Sequence, residues 1–370
     1  MIVKLIIWVL LAWLCSQFIR ILLQLDWNKQ VYNHVPGLCR HVAGVDGGAE
    51  DIELIFEQGV AFITSGAVTS DQMRSSRRGR IFRYDFQSEA NKKLFKADAM
   101  KIELGEGSTF DPKTFAPIGL TSYVSKGRVT LYVVNHRPGR YTVECFTYKK
   151  GTNTLLHTKT IDDDHFYGAN DLVAVGADKF FLTNFRYFWH PVLTGVFETL
   201  LQLPLGSIVF YDGKNASVVE SWQLGPNGIA VDKDKTHLYV AFPVGEFIRD
   251  YSLKRDFSIE KVSELSLLTS PDNLFVDPAS GDLWTGAHPV MHKVARHLMV
   301  GDPDKSPTPS QVLHVRVQED HKSWIVTEPY ADDGGQLSGS SSAVLFEKQL
   351  LVGTIHHKLM HCDVLNPELH

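Results

Sequence analysis

Oxygen-bearing side chains recur immediately ahead of short apolar strands at five places in the chain: Glu50-Asp51, Asn170-Asp171, Asn227, Asp272-Asn273 and Ser341-Ser342. Carboxylates, amides and hydroxyls without an accompanying Cys or His pattern are hard donors, which suit Ca²⁺ far better than Zn²⁺. A single Asp-Asn pair would mark a turn. The same donors at one register of several repeats point instead to a shared site. Several carboxylates in a narrow channel would repel one another unless a cation joined them. Calcium is therefore the expected cofactor.

Something must bring these distant positions together, and the strands that follow them supply it. Six hairpins are readable: Ile52–Phe56 with Val60–Ser65, Ile118–Tyr123 with Val129–Asn135, Leu172–Val175 with Lys179–Asn184, Ile229–Val231 with His237–Ala241, Leu274–Asp277 with Leu283–Gly286, and Ala343–Phe346 with Leu350–Thr354. They divide the chain after residue 30 into units of about 57 residues, a period expected of blade-like repeats. No long amphipathic helix alternates with the strands, which argues against a doubly wound α/β sheet. A β-sandwich would leave the repeat unexplained. The expectation is an all-β, six-bladed propeller, in which the innermost strand of every blade starts at the central channel. Pro117-Ile118-Gly119, in the second repeat, breaks the donor rule.

Of the 370 residues, 44% are hydrophobic and 21% charged, with 37 Lys+Arg against 42 Asp+Glu, a globular composition. The net charge of -5 gives no reason to expect a nucleic-acid partner. From Leu5 to Leu25 the chain is apolar apart from Gln17, Arg20 and Gln24, long enough to cross a bilayer as a helix. A cleaved signal peptide is the alternative, ranked second because no clear small-x-small cleavage site follows. Residues 1–29 are read as a signal-anchor helix and 30–370 as the propeller. Lys4 and the amino terminus favour a cytoplasmic N-terminal end, with the rest lumenal or extracellular, in the endoplasmic reticulum or plasma membrane. The C-terminal Pro367-Glu-Leu-His370 is not a clear retention signal. Asn215-Ala-Ser217 is a glycosylation sequon on that side. Cys39 and Cys362 bracket the propeller and are placed to staple its first strand to its last in an oxidising compartment. Cys145 reads as a buried thiol and Cys15 as part of the membrane segment.

At this point the residues resemble the paraoxonases, a family of arylesterases and lactonases, from about Leu38 to Cys362. The resemblance rests on Gly48-Ala-Glu-Asp-Ile52, Leu131-Tyr-Val-Val-Asn-His136, Asn170-Asp-Leu-Val-Ala-Val-Gly176, Pro226-Asn-Gly-Ile229, Pro271-Asp-Asn273, Val276-Asp-Pro278, Gly281-Asp-Leu-Trp284 and Gly353-Thr-Ile-His-His-Lys358. It implies two calcium ions in the tunnel. The upper, catalytic-type ion would be held by Glu50, Asn170, Asn227, Asp272 and Asn273. The lower, structural ion would be held by Asp51, Asp171 and the backbone carbonyl of Leu120. It also implies a Cys39–Cys362 disulfide and hydrolysis of esters or lactones, with water prepared by a His pair. His136 matches the second of that pair. The first falls at Ile118, an apolar residue that cannot take a proton. His288 matches a further pocket histidine, read as a structural loop residue.

Two segments remain. Phe185–Leu205, with Tyr187, Phe188, Trp189, Leu193, Val196, Phe197, Leu200 and Leu201, has helical apolar spacing and is expected as a short amphipathic helix over the top of the propeller. Arg74, Arg77, Arg78 and Arg80 are expected in a solvated loop. Some membrane-anchored paraoxonase-like proteins act as chaperones or accessory factors for ion-channel assembly. The resemblance therefore implies two functions: an accessory factor with lost or reduced hydrolase activity, and an active calcium-dependent arylesterase or lactonase. The Ile118 replacement favours the first.

Overall fold

A computed structural model describes residues 1–45, 47–66, 79–88, 94–188 and 198–369. Among them are six sheets, five four-stranded and one five-stranded, arranged as the blades of a propeller. All six hairpins expected from the sequence form, and each supplies the first two strands of a blade: Ile52–Ile55 with Val60–Ser65, Pro117–Ser125 with Arg128–Arg137, Ala169–Gly176 with Lys179–Asn184, Ile229–Val231 with His237–Phe242, Ser270–Val276 with Leu283–His288, and Ser340–Phe346 with Gln349–Thr354. Each first strand touches the first strand of the next blade, and the sixth touches the first, so the ring is closed.

Turn chemistry explains why these runs fold back on themselves. Every one of the six hairpins reverses through a residue with positive φ: Gly59, Lys126-Gly127, Asp178, Lys235, Gly281 and Glu347. Left-handed turn residues match the right-handed twist of the strands they join. Second strands such as Val60–Ser65 and Leu283–His288 are buried along their whole length, because a neighbouring blade covers each of their faces. They accordingly read as continuous apolar runs rather than alternating ones. The core is six wedges, one between each pair of neighbouring blades. Phe181 and Ile208 of blade 3 meet Leu238 and Val240 of blade 4, and Trp284 and Val312 of blade 5 meet Leu345 and Val352 of blade 6.

The last blade is completed by the first strand. Cys39–Val42 pairs antiparallel with Leu359–Asp363, in a register that sets Cys39 opposite Cys362, and the two are joined by a disulfide. Cys145 is a buried free thiol and Cys15 an exposed one. The bridge spans 323 positions of sequence, so breaking it releases a large loop entropy in the unfolded chain. Cys39→Ser is expected to lower the unfolding free energy by about 3–5 kcal/mol, measured by denaturant unfolding against the oxidised parent.

Helix α1, Ile2–Gln24, is long and apolar enough to cross a membrane, and none of its residues is buried in the propeller. Its end is latched to the rim. The buried Asp26 carboxylate accepts a bond from the Met291 N–H at 3.0 Å. Lys29 pairs with Asp26 at 2.6 Å and Glu246 at 3.0 Å, and Trp27 stacks on His292 at 4.3 Å. Met291 and His292 open α2, Met291–Val300, a helix that the sequence reading did not anticipate. Of the helix expected within Phe185–Leu205, Glu198–Leu200 are helical. Trp189, Leu193, Val196 and Phe197 lie outside the described residues, as do Arg74, Arg77, Arg78 and His370. Arg80 opens the strand Arg80–Asp85 rather than lying in a loop.

Candidate metal centre

In four of the six blades the first strand is irregular where the donors stand. Pairing slips between Pro117 and Leu120, between Ala169 and Leu172, between Pro271 and Leu274, and between Ser340 and Ser342. A bulge puts two successive side chains where regular pleating would place one, and so re-aims them. In this way Asn170-Asp171 and Asp272-Asn273 each contribute both members to the axis. Threonines on the second strands hold the irregular backbone. Thr64 Oγ1 accepts the Asp51 N–H at 3.1 Å, and Thr183 Oγ1 accepts the Asp171 N–H at 3.1 Å.

The upper set contains Glu50, Asn170, Asn227, Asp272 and Asn273. Asn273 Nδ2 donates to the Glu50 carbonyl at 2.8 Å, and Ser341 Oγ donates to the same carbonyl at 2.6 Å. With Nδ2 so engaged, the Asn273 Oδ1 is left over. That atom, Glu50 Oε2, Asn170 Oδ1 and Asn227 Oδ1 are all buried without a hydrogen-bond partner among the described residues. Buried polar atoms are ordinarily paired, and four orphan oxygens on separate blades are what an unfilled cation site would leave. Their chemistry fits calcium: hard oxygens, carboxylate and amide.

Below them, Asp51 and Asp171 span the blades in the same manner. Asp51 Oδ2 accepts the Leu120 N–H at 2.8 Å, and Asp171 Oδ2 accepts the Ile229 N–H at 2.8 Å. The second blade offers room where the others offer side chains. A Cβ on Gly119 would stand 2.5 Å from Asp171 Oδ1, which accounts for the break in the donor rule. Gly119→Ala is expected to displace Asp171, costing about 1–3 kcal/mol of stability and weakening calcium affinity by calorimetric titration.

Burial dominates the electrostatics. It raises the Glu50 carboxyl well above its usual range, and the neighbouring Asp272 and Asp51 charges push the same way. Asp51 is raised to about 7 by burial and the Asp272 charge, against the opposing bonds from Leu120 and Ile52 N–H. Burial and the charges of Asp51 and Glu50 hold Asp171 well above its usual range. A cavity of about 230 Å³ continues the tunnel past Asp51 and Asp171, lined by Ile52, Leu120, Leu172 and Ile229 among others.

The histidines flank this centre. His136 Nε2 lies 2.9 Å from the carbonyl of Ala169, the residue before Asn170, and its ring packs edge-on against Tyr141 at 4.4 Å. Ile118 is buried in an apolar wedge with Tyr132, Val134 and Tyr141. His288 corrects the loop reading: it ends the strand Leu283–His288, is buried, and its Nε2 holds Asp272 Oδ2 at 2.9 Å. Asn215 is exposed between Gly206–Tyr211 and Ala216–Gln223. The sequence reading missed Thr64 and Thr183. Their signal is a Thr near the end of a buried second strand, ahead of Ser65 and Asn184.

A family profile described as Arylesterase matches residues 30–364. The chain belongs to the arylesterase family, the paraoxonases. Among its relatives, the mechanosensory abnormality protein 6 of Caenorhabditis elegans is 34% identical over 365 residues, covering 98% of this chain and 95% of that one. The chicken (Gallus gallus) serum paraoxonase/arylesterase 2 is 35% identical over 330 residues, 88% of each chain. In fold, this family member is similar to a luciferin-regenerating enzyme, with a TM-score of 0.55 over 89% of this chain and 96% of that one at 12% identity. A putative gluconolactonase gives a TM-score of 0.51 over 91% and 98% at 13% identity. At such identities the likeness is one of fold alone.

Proposed function

We propose that this paraoxonase-family protein is a membrane-anchored calcium binder with lost or reduced hydrolase activity, acting as an accessory factor or chaperone in the assembly of membrane proteins such as ion channels. The observation that carries this reading is Ile118, buried in an apolar wedge where the family resemblance calls for a base, in a chain that keeps four buried, unpartnered donor oxygens. Retaining the donors while losing the base preserves a folded scaffold without turnover. A relative aligned over 98% of this chain, the N-terminal region included, bears a name that records a mechanosensory defect rather than a hydrolytic activity.

In this reading residues 1–29 anchor the protein in a single pass and residues 30–370 form a lumenal or extracellular propeller, in the endoplasmic reticulum or at the cell surface, with Asn215 available for glycosylation. Two calcium ions would occupy the tunnel, the upper held by Glu50, Asn170, Asn227, Asp272 and Asn273, the lower by Asp51, Asp171 and the Leu120 carbonyl. Calcium at the upper position supplies a Lewis acid for a carbonyl oxygen. His288 fixes the Asp272 carboxylate, and His136 stands over the start of blade 3.

The second reading, an active calcium-dependent arylesterase or lactonase, is favoured by His136, whose imidazole remains beside the donor ring. Hydrolysis of lactones and phenyl esters by the full-length protein in detergent, with calcium and then with chelator, separates the two. Turnover at the level of the Ile118→His variant, abolished by His136→Ala, would overturn the accessory reading. Weak turnover, with membrane-protein subunits recovered by pull-down from native membranes, is the expected result.

A further inference from the structure

A second cluster of metal-binding character is built from residues outside the tunnel's donor ring. His237 opens the strand His237–Phe242, and Asp250 lies within Phe247–Leu253 of the same blade. Pairing of His237 with Ser252 and of Tyr239 with Asp250 puts both side chains on one face of the sheet. That face meets blade 5, whose turn between Ser310–Val317 and Trp324–Asp332 delivers His321 in a left-handed conformation, φ 50°. Asp250 is fully buried. Its Oδ1 is 2.8 Å from His237 Nδ1 and its Oδ2 is 3.0 Å from His321 Nδ1. The two imidazoles lie parallel, their centroids 3.6 Å apart, and a ligand atom from each of the three residues lies within 4.8 Å of the others.

We propose that His237, Asp250 and His321 form a binding site for a borderline divalent cation of the zinc class, which staples blade 4 to blade 5. Two imidazole nitrogens and one carboxylate are the donor set that such ions take, with the fourth position left to water. The histidines are 17% and 30% exposed, so that fourth position opens to solvent. Calcium would not compete here, because it takes oxygen donors. Entry of the ion requires the Nδ1 protons that bridge to Asp250 to shift to Nε2, the other neutral tautomer, leaving each Nδ1 lone pair free. It also requires the stacked rings to splay, since one ion cannot lie in two parallel ring planes. His321 has the freedom to do so, being carried by a surface turn. A buried carboxylate held by two imidazoles of a neighbouring strand and a neighbouring blade is thereby replaced by a three-way cross-link. The site lies at the hairpin end of blade 4, the end opposite the rim where α1 is latched.

Full-length protein in detergent, with calcium in excess to saturate the tunnel, is dialysed against Zn²⁺ and, separately, titrated with Co²⁺ as a spectroscopic probe. One zinc per chain is expected beyond that taken up by His321→Ala, with affinity at least about 100-fold weaker in that variant. A tetrahedral cobalt spectrum should appear in the parent and be lost in both His321→Ala and His237→Ala. Because His321 sits in a turn, its variant is expected to retain the parent circular dichroism and calcium affinity. Asp250→Asn, which keeps the shape, provides a second comparison and should also lose the cobalt spectrum. Equal zinc uptake by parent and His321→Ala, or no uptake by either, would overturn the assignment. Calcium binding is measured on the same samples, so failure of this site is distinguishable from failure of the tunnel.

Discussion

Chelating calcium from the full-length protein is expected to lower its melting temperature by about 10–15 °C. An ion that binds only the folded chain at about 1,000 times its dissociation constant stabilises it by about 4 kcal/mol, and two such ions by about twice that. The pH dependence should be equally diagnostic. In the chelated protein the buried Asp51 carboxyl stands at about 7, against about 3.9 in an unfolded chain. The folded state therefore holds a proton that the unfolded state has released between those values. Its contribution to stability is present below about pH 4 and is lost as pH rises through about 7. Asp171 and Glu50, raised by the same burial and repulsion, act in the same direction. Bound calcium would remove this penalty by supplying the missing positive charge. The gap between loaded and chelated melting temperatures should consequently widen from pH 5 to pH 8. A melting curve indifferent to chelator at pH 8 would refute the metal assignment.

Replacing Ile118 by His is expected to raise calcium-dependent kcat/KM for phenyl esters and lactones by about 100-fold. A positioned general base contributes about 10²–10⁴-fold, or about 3–5 kcal/mol of barrier. Ile118 offers no atom that can accept a proton, and its wedge with Tyr132, Val134 and Tyr141 keeps water away. Putting imidazole there costs stability, about 1–3 kcal/mol, so the melting temperature should fall as activity rises. Ile118→Ala opens the same space without a base and should show no gain. If Ile118→His folds, binds calcium and remains as slow as the parent, the pocket has diverged beyond that one position.

The parts of the fold that could be read in the sequence are those whose local chemistry is strong. The two inner strands of each blade are largely covered by neighbours and are rich in apolar residues, and their turns are short and polar, although Asp178, Lys235 and Glu347 take left-handed conformations without being glycine. The donor pairs were visible because they precede those runs. What could not be read depends on pairing. The slips that aim both Asn170 and Asp171 at the axis exist only once Ala169–Gly176 meets Lys179–Asn184. The short strand Lys101–Leu104 joins its blade in parallel, beside Thr154–Ile161, from some fifty positions away. His288 was misread because the following Pro289 suggests a loop, whereas its strand runs to the last residue before that proline. The α2 helix is a single short amphipathic stretch, and its docking against Asp26 and Trp27 has no local signature. His237, Asp250 and His321 are scattered across two blades, with no spacing that would announce them.

Joining Cys39 to Cys362 also changes what kind of object the backbone is. Between those two positions the polypeptide becomes an endless loop, with the α1 segment and the last few residues as tails. One hydrolysed peptide bond anywhere on that loop yields no fragment, only a relocated pair of ends. A blade cannot drift away after a single cut, and the assembly can come apart only when a second break, or a reductant, accompanies the first.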